Sequence, residues 1–222
     1  MKNDYYYLVM KEQRNIRLIG FLPTIGIILF IGLFVYSSFL YPGGSQVNLE
    51  SVGFDWVNNY WCNLMNERAM NNMINPARPF AIAAMFVLCL SLMLFFIQFA
   101  GNFTKNPIWK IIILIFGILS MVSAFLMFTE FHDLMTTLSS IFGVLVVLGI
   151  IWEIYQSNMT NYKIGGIICI ALLGLNNYIY YSQQFILFLP LLQKLTFALV
   201  LGWIIGLNFK MMRKNKSQIS LK

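Results

Sequence analysis

Charged residues are scarce in this chain, and acidic residues and histidine are the rarest of the polar groups. Of 222 residues, 10% are Asp, Glu, Lys or Arg, with only eight acidic residues and one His. A soluble domain carries about 25% charged residues, so this chain lacks the charge to cover a water-facing surface. Hydrophobic residues make up 59%, and the mean hydropathy is +0.73. The composition therefore indicates an integral membrane protein.

Cysteine and histidine are too few for the usual metal sites. Cys89 and Cys169 lie in apolar runs, Cys62 lies in a polar segment, and no C-x-x-C spacing occurs. With His132 as the only His, a zinc-dependent intramembrane hydrolase lacks ligands. The apolar runs also lack G-x-S-x-G and interior Asp, as an intramembrane protease would require. We therefore expect no metal and no other cofactor, and we favour a non-enzymatic protein.

Six apolar runs are long enough to cross a bilayer, whose hydrocarbon core of about 30 Å requires about 20 residues. In lipid the backbone polar groups must be satisfied within each segment, so each run is predicted to be an α-helix. The predicted fold is an all-α bundle of six transmembrane helices, preceded by an N-tail (1–17) and followed by a basic C-tail (210–222). The predicted spans are 18–41, 79–100, 108–129, 134–155, 164–182 and 185–209.

Basic residues are distributed unevenly about these spans. Twelve of the 15 Lys and Arg residues fall in the two tails and in the connections after spans two and four. Cytoplasmic segments carry the excess of Lys and Arg, so both termini are predicted to be cytoplasmic, in the plasma (inner) membrane of a bacterium. The same placement accounts for the net charge of +7 without a nucleic-acid partner.

The connection between the first two spans is the longest, and it is polar. Within residues 53–66, apolar side chains recur every three or four positions, which is typical of one face of a helix. These side chains are Phe54, Val57, Tyr60, Trp61 and Leu64. We predict a short extracytoplasmic amphipathic helix between helices 1 and 2 that covers the outer mouth of the bundle.

Polar side chains at membrane depth are costly and commonly mark functional sites. In this chain they gather at the outer ends of the spans and in the long loop. We therefore predict a polar ligand-binding pocket on the outer side. Its candidate residues are Asp55, Asn59, Arg78, His132, Asp133, Asn177 and Lys194.

Three of these residues have structural alternatives. Asp133 is also placed to be the N-cap of span four. Lys194 could extend its ammonium outward to the headgroups or pair with Asp133, Glu130 or Asp55. Asn177 is of a type that often hydrogen-bonds between transmembrane helices. The sequence leaves these alternatives open.

Several short motifs carry a resemblance to a family. They are YPGG at the end of span one, NNYWCNLMNE in the loop, NPARPF at the start of span two, and His132 at the start of span four. Over about residues 18–209 the chain resembles the domain of unknown function 998 family of bacterial multi-span membrane proteins. It is similar in plan to the damage-regulated autophagy modulator family of six-span proteins. Neither resemblance implies a reaction or a catalytic residue.

Two functions fit this pattern. The first is a non-enzymatic membrane protein that binds a lipid or small amphiphile in the outer pocket, with membrane lipids as its other partners. The alternative is a secondary transporter or proton-coupled carrier that uses Lys194. A carrier needs polar groups through the whole membrane, whereas the inner half offers only Glu153, expected at the interface near Lys163, and Gln98. This asymmetry favours the first function.

Overall fold

A computed structural model describes the backbone of residues 2–157 and 159–219, with side chains for 18–157 and 159–213. It confirms the all-α fold with six helices long and apolar enough to span a membrane, with mean hydropathies of 1.4 to 2.8 over their most apolar windows. The helices are α1 (Lys2–Leu40), α2 (Arg78–Asn102), α3 (Pro107–Phe125), α4 (His132–Tyr155), α5 (Thr160–Ser182) and α6 (Leu189–Ile219).

The helix ends lie within a few residues of the predicted span ends, except at the two tails. Helix α1 begins at Lys2 and α6 ends at Ile219, so helical structure continues into both segments that were expected to be separate tails. The start of α3 shows how sequence fixes an end. The Asn106 side chain accepts hydrogen bonds from the Ile108 and Trp109 N–H groups, and Pro107 occupies the first helical position.

The helices pack in chain order, each against the next, and α6 returns to contact α1. Polar bonds join the first and last helices, because Asn208 donates to the Gly20 carbonyl at 3.1 Å and accepts from the Thr24 hydroxyl at 2.9 Å. The start of α1, the end of α6 and the connections after α2 and α4 therefore share one end of the bundle, here called the termini end. The other end carries residues 41–77 and the connections after α3 and α5, and is called the loop end.

Burial differs sharply around this ring. Half of the α2 span is buried (50%), compared with 17% of the α4 and α5 spans. Along α4, all of the buried residues lie between Val146 and Ile154, towards the termini end. Helix α4 is therefore closely packed at the termini end, whereas its loop-end half borders open space.

Residues 53–66 do not form the predicted amphipathic helix. Residues 56–59 form a turn and a bend, and a 3₁₀ helix of five residues, Trp61–Met65, follows. The Asp55 carboxylate accepts the Val57 and Asn58 N–H groups, and the Asn63 side chain accepts the Tyr60 N–H. Side chains of Asp and Asn compete in this way with the backbone bonds of a helix. The spacing of the apolar residues is typical of a helix, but these side-chain hydrogen bonds stabilise turns instead.

Candidate functional site

Two buried Asn side chains, Asn59 and Asn75, hold the 41–77 loop together. The Asn59 side chain accepts the Asp55 N–H and donates to the Gly44 carbonyl. The Asn75 amide nitrogen is within hydrogen-bond distance of the carbonyls of Asn63, Leu64 and Asn66. Because a loop lacks the regular bonds of helices and sheets, its buried backbone groups need side-chain partners. The Asn-rich composition thus has a structural role, and Asn59 performs it with both ends of its amide.

The YPGG motif allows the loop to turn tightly against itself. Gly43 and Gly44 both have positive φ angles, +143° and +82°. A Cβ on Gly44 would lie 2.4 Å from the Asn71 nitrogen, and one on Gly43 would lie 2.1 Å from the Ser51 oxygen. These contacts leave no space for a side chain, so the glycines are required by the fold of the loop.

Trp61 fixes the loop to the bundle. Its ring stacks on Phe34 of α1, with centroids 4.7 Å apart, and lies 5.1 Å from the ring of Phe197 in α6. Its backbone N–H donates to the Gln193 side chain at 3.3 Å. Aromatic packing of this kind contributes beyond simple burial. The loop is therefore seated between α1 and α6.

Lys194 of α6 reaches the underside of this loop. Its ammonium donates to the backbone carbonyls of Asn59 and Pro190 and lies 5.6 Å from the centre of the Phe54 ring. No carboxylate is within ion-pair distance of it among the described side chains. Neither of the two alternatives, an ion pair or free extension to the headgroups, describes Lys194, because one loop carbonyl and one carbonyl of its own helix accept hydrogen bonds from the ammonium.

The positive charge of Lys194 acts on the Asp55 carboxylate. Burial opposes ionisation of the Asp55 carboxyl, but hydrogen bonds from Asn58 and Val57 and the Lys194 charge outweigh it and lower the pKa. Asp55, Asn59 and Lys194 thus form one group, which we call the lysine group. Its polar atoms are largely used within the loop itself.

A second group of polar residues joins α4 to α5 at the loop end. The Asp133 carboxylate lies 3.1 Å from His132 Nδ1 and accepts from the Tyr180 hydroxyl at 2.8 Å. Phe131, not Asp133, occupies the N-cap position of α4, so Asp133 lies within the first turn. The N-cap alternative for Asp133 is wrong, and its carboxylate instead connects two helices.

The two remaining predicted residues lie apart from these groups. Arg78 pairs with Glu67 at 3.0 Å, at the start of α2. The Asn177 amide donates to the Leu173 carbonyl one turn earlier in α5. Its neighbour Asn176 makes the interhelical bond, to Thr196 of α6 at 2.6 Å. The seven predicted residues therefore occupy several separate places at the loop end.

A cavity of about 320 Å³ lies between the loop and the α3–α4 connection. Its loop side includes Gln46, Tyr60, Cys62, Asn63 and Asn66. Its bundle side includes Phe128, Thr129 and His132. Of the seven predicted residues, His132 alone lines this cavity.

Neutral groups dominate the cavity wall. Burial raises the pKa of the Cys62 thiol to about 11, and main-chain hydrogen bonds and the nearby Lys194 charge offset this only in part. Burial also raises the pKa of the Tyr60 hydroxyl. Both groups are therefore protonated at neutral pH. Among the described residues, none that lines the cavity is Asp, Glu, Lys or Arg.

An apolar groove of about 430 Å³ runs along α5 and α6 at the same end. Its walls include Leu175, Ile179, Phe185, Phe188, Leu191 and Leu195. Tyr60 lines the polar cavity, and its hydroxyl lies 3.5 Å from the carbonyl of Ile186, whose neighbours along the chain, Phe185 and Phe188, line the groove. A polar cavity and an apolar groove thus lie at the same end of the molecule, and a wall residue of the first contacts a segment that lines the second.

Glu153 has a structural place that the sequence interpretation missed. It is 4% exposed, whereas we expected it at the interface near Lys163. Its two carboxylate oxygens accept the N–H groups of Lys105 and Asn106 at 3.0 and 3.1 Å. These amides precede α3, where the positive end of the helix dipole favours an anion. No group of three His, Cys, Asp or Glu residues able to hold a metal occurs in the described part of the chain.

Sequence reasoning also missed most of the cavity. It singled out charged residues, His132 and two other Asn residues, whereas most of the lining is formed by Tyr60, Cys62, Asn63 and the Met127–Thr129 region. A usable signal was present, because the Asn residues cluster next to aromatic residues in a loop beside apolar spans. No family model matches the chain, and neither a curated protein nor a solved structure matches it.

Proposed function

We propose that this chain is a non-enzymatic, multi-pass membrane protein that binds a lipid or small amphiphile at its loop end. One observation carries the proposal: Tyr60 lines a polar cavity, and its hydroxyl contacts the 185–188 segment, whose Phe185 and Phe188 line an apolar groove. An amphiphile needs both environments, one for its headgroup and one for its chain. The volumes, about 320 and 430 Å³, fall within the range of small-molecule sites. His132 is the predicted residue that contributes directly.

Filling the groove tests this proposal. Leu195 lines the groove and is 51% exposed, whereas Leu199, one turn further along α6, is 49% exposed and does not line it. We expect Leu195→Trp to lose a copurifying amphiphile that is detected by mass spectrometry, while the matched Leu199→Trp variant retains it. Equal retention by both variants, or no bound amphiphile in the parent protein, would contradict the proposal.

We further propose that both termini are cytoplasmic and that the loop end faces outward from the plasma (inner) membrane. Basic residues at the termini end support this orientation. The Trp61–Met65 helix then forms part of an extracytoplasmic cover. Reporter fusions at Asn66 and Arg213 should report opposite sides of the membrane, and a shared side would exclude the topology. The resemblance to the domain of unknown function 998 family remains part of this proposal.

A proton-coupled carrier is the alternative, and the described residues give it less support. Both oxygens of Glu153 are bound to backbone amides, and the Gln98 amide donates to the Ile19 carbonyl. At the other end, Lys194 donates to one carbonyl of the loop and one of its own helix. Proteoliposome uptake across a proton gradient tests the ranking. Substrate flux that is abolished by Lys194→Ala would favour the carrier.

A further inference from the structure

We propose that the headgroup held in the polar cavity is uncharged and carries hydroxyl groups, as in a glyceride. This inference rests on the proposed function and specifies the chemistry of its ligand. It begins with the cavity wall, where the side chains are amides, hydroxyls, a thiol, two thioethers, aromatic rings and His132, and where none of the described residues is Lys or Arg. A phosphate placed there would lose its hydration without gaining a cation, which is strongly unfavourable.

Among the described residues, the cations at the loop end lie off the cavity wall, and each has a partner. Arg68 donates to the Asn72 carbonyl. Lys194 is bonded to the carbonyls of Asn59 and Pro190. Arg78 is paired with Glu67 at 3.0 Å. His132 Nδ1 lies 3.1 Å from the Asp133 carboxylate. An anionic headgroup would therefore meet no Lys or Arg side chain on the described part of the cavity wall.

The cavity does offer unused hydrogen-bonding groups of both kinds. Within the described residues, the side-chain amides of Gln46 and Asn66 make no hydrogen bond, and each supplies a donor and an acceptor. The buried Asn63 uses its oxygen for the Tyr60 N–H, which leaves its nitrogen as a donor. His132 keeps Nε2 available. Hydroxyl groups both donate and accept, so they match this mixed set better than phosphate, which mainly accepts.

Two probes that differ in the headgroup test the inference directly. Dioctanoylglycerol and dioctanoyl phosphatidic acid share the same chains, and only the second carries a phosphate. Native mass spectrometry of the full chain, purified in an amine-oxide detergent without hydroxyl groups, would measure competition between them. We expect dioctanoylglycerol to bind at least about tenfold more tightly, a difference of about 1.4 kcal/mol.

A matched pair of variants locates the headgroup. Asn66→Leu removes an unbonded amide from the cavity rim, whereas Asn102→Leu removes an exposed amide at the end of α2. We expect dioctanoylglycerol binding to weaken several-fold in the first variant and to stay unchanged in the second. Equal or tighter binding of the phosphate probe would overturn this inference, as would an Asn66→Leu variant that binds normally. Both results would leave amphiphile binding intact, whereas failure of both probes to bind would contradict the proposed function itself.

Discussion

Two charged side chains, Glu153 at the termini end and Lys194 at the loop end, are satisfied in the same way but in different surroundings. Glu153 accepts from two amides of the short connection between α2 and α3. Lys194 donates to two carbonyls, one in its own helix and one in the 41–77 loop. Each charge is thus compensated by the backbone rather than by an opposite charge within the described residues.

The difference lies in what surrounds each charge. Around Glu153 the chain is closely packed, and the neighbouring Ile150 and Ile154 are almost completely buried. Around Lys194 a 37-residue loop, 41–77, folds through side-chain amides and leaves a cavity of about 320 Å³ beside it. The Glu153 carboxylate thus fixes the short connection between α2 and α3. The Lys194 ammonium instead holds a long loop that lies beside a cavity.

The largest expected effect is at the termini end. Glu153→Leu would leave the Lys105 and Asn106 N–H groups without an acceptor, at a cost of about 1–3 kcal/mol for each buried group. We expect a loss of about 3 kcal/mol in unfolding free energy, measured by denaturation in mixed micelles. Glu153→Gln keeps one acceptor oxygen and should lose roughly half as much. An unchanged stability in both variants would mean that Glu153 does not fix this connection.

The next largest loss of stability is expected at the tight turn of the loop, where it can be compared with a second glycine of the same loop. Gly44→Ala places a Cβ 2.4 Å from the Asn71 nitrogen at a φ of +82°. Gly53 has a similar φ of +73°, but no atom lies within 4 Å of an added Cβ. Left-handed strain costs about 1–2 kcal/mol, so we expect a loss above about 2 kcal/mol for Gly44→Ala.

Gly53→Ala serves as the control for that variant. It carries the backbone strain without the clash, so it should lose only about 1 kcal/mol. Protease digestion of the loop in intact membranes would report the difference. Equal protection of the two variants would show that the close approach at Gly44 has little importance.

Lys194→Met should change stability less than Glu153→Leu. The variant leaves the Asn59 and Pro190 carbonyls with one partner fewer, but unsatisfied carbonyls are better tolerated than unsatisfied N–H groups. It also removes a desolvated charge. We expect a change within about 1 kcal/mol in the same denaturation measurement. A loss of unfolding free energy as large as that of Glu153→Leu would show that the two charged groups stabilise the fold equally, which would contradict this prediction.

The smallest effect concerns Asp55 and pH. The pKa of Asp55 is lowered in the folded loop from an ordinary value of 3.8. The ionised carboxylate therefore contributes fully to the stability of the loop above that pH. The contribution is lost as the pH falls through the folded pKa. We expect the Val57 and Asn58 amides to lose hydrogen-exchange protection below about pH 4. Asp55→Ala should show the same reduced protection already at pH 7, and full protection in that variant would contradict the role of the carboxylate.

The fold was more predictable than the site because different physical effects determine them. Run length and hydropathy predicted six helices, and the ends differ little, as at α4, which begins at His132 rather than residue 134. The helix predicted over residues 53–66 does not form, because the Asp55 and Asn63 side chains accept hydrogen bonds from nearby backbone N–H groups. A periodic pattern of apolar residues does not record those local bonds. Among the site residues, His132 was placed at the cavity, whereas Asn59 and Lys194 are used to hold the loop.

The sequence by itself determined that the chain forms six apolar helices, since a membrane requires long segments whose backbone groups are internally bonded. It also determined that the 41–77 loop is polar and that charges gather at helix ends. Only the tertiary structure decided which partner each polar group has. Glu153 meets amides 47 and 48 residues away, and Lys194 meets a carbonyl 135 residues away. Pairings across such separations depend on how helices pack, and no local pattern encodes them.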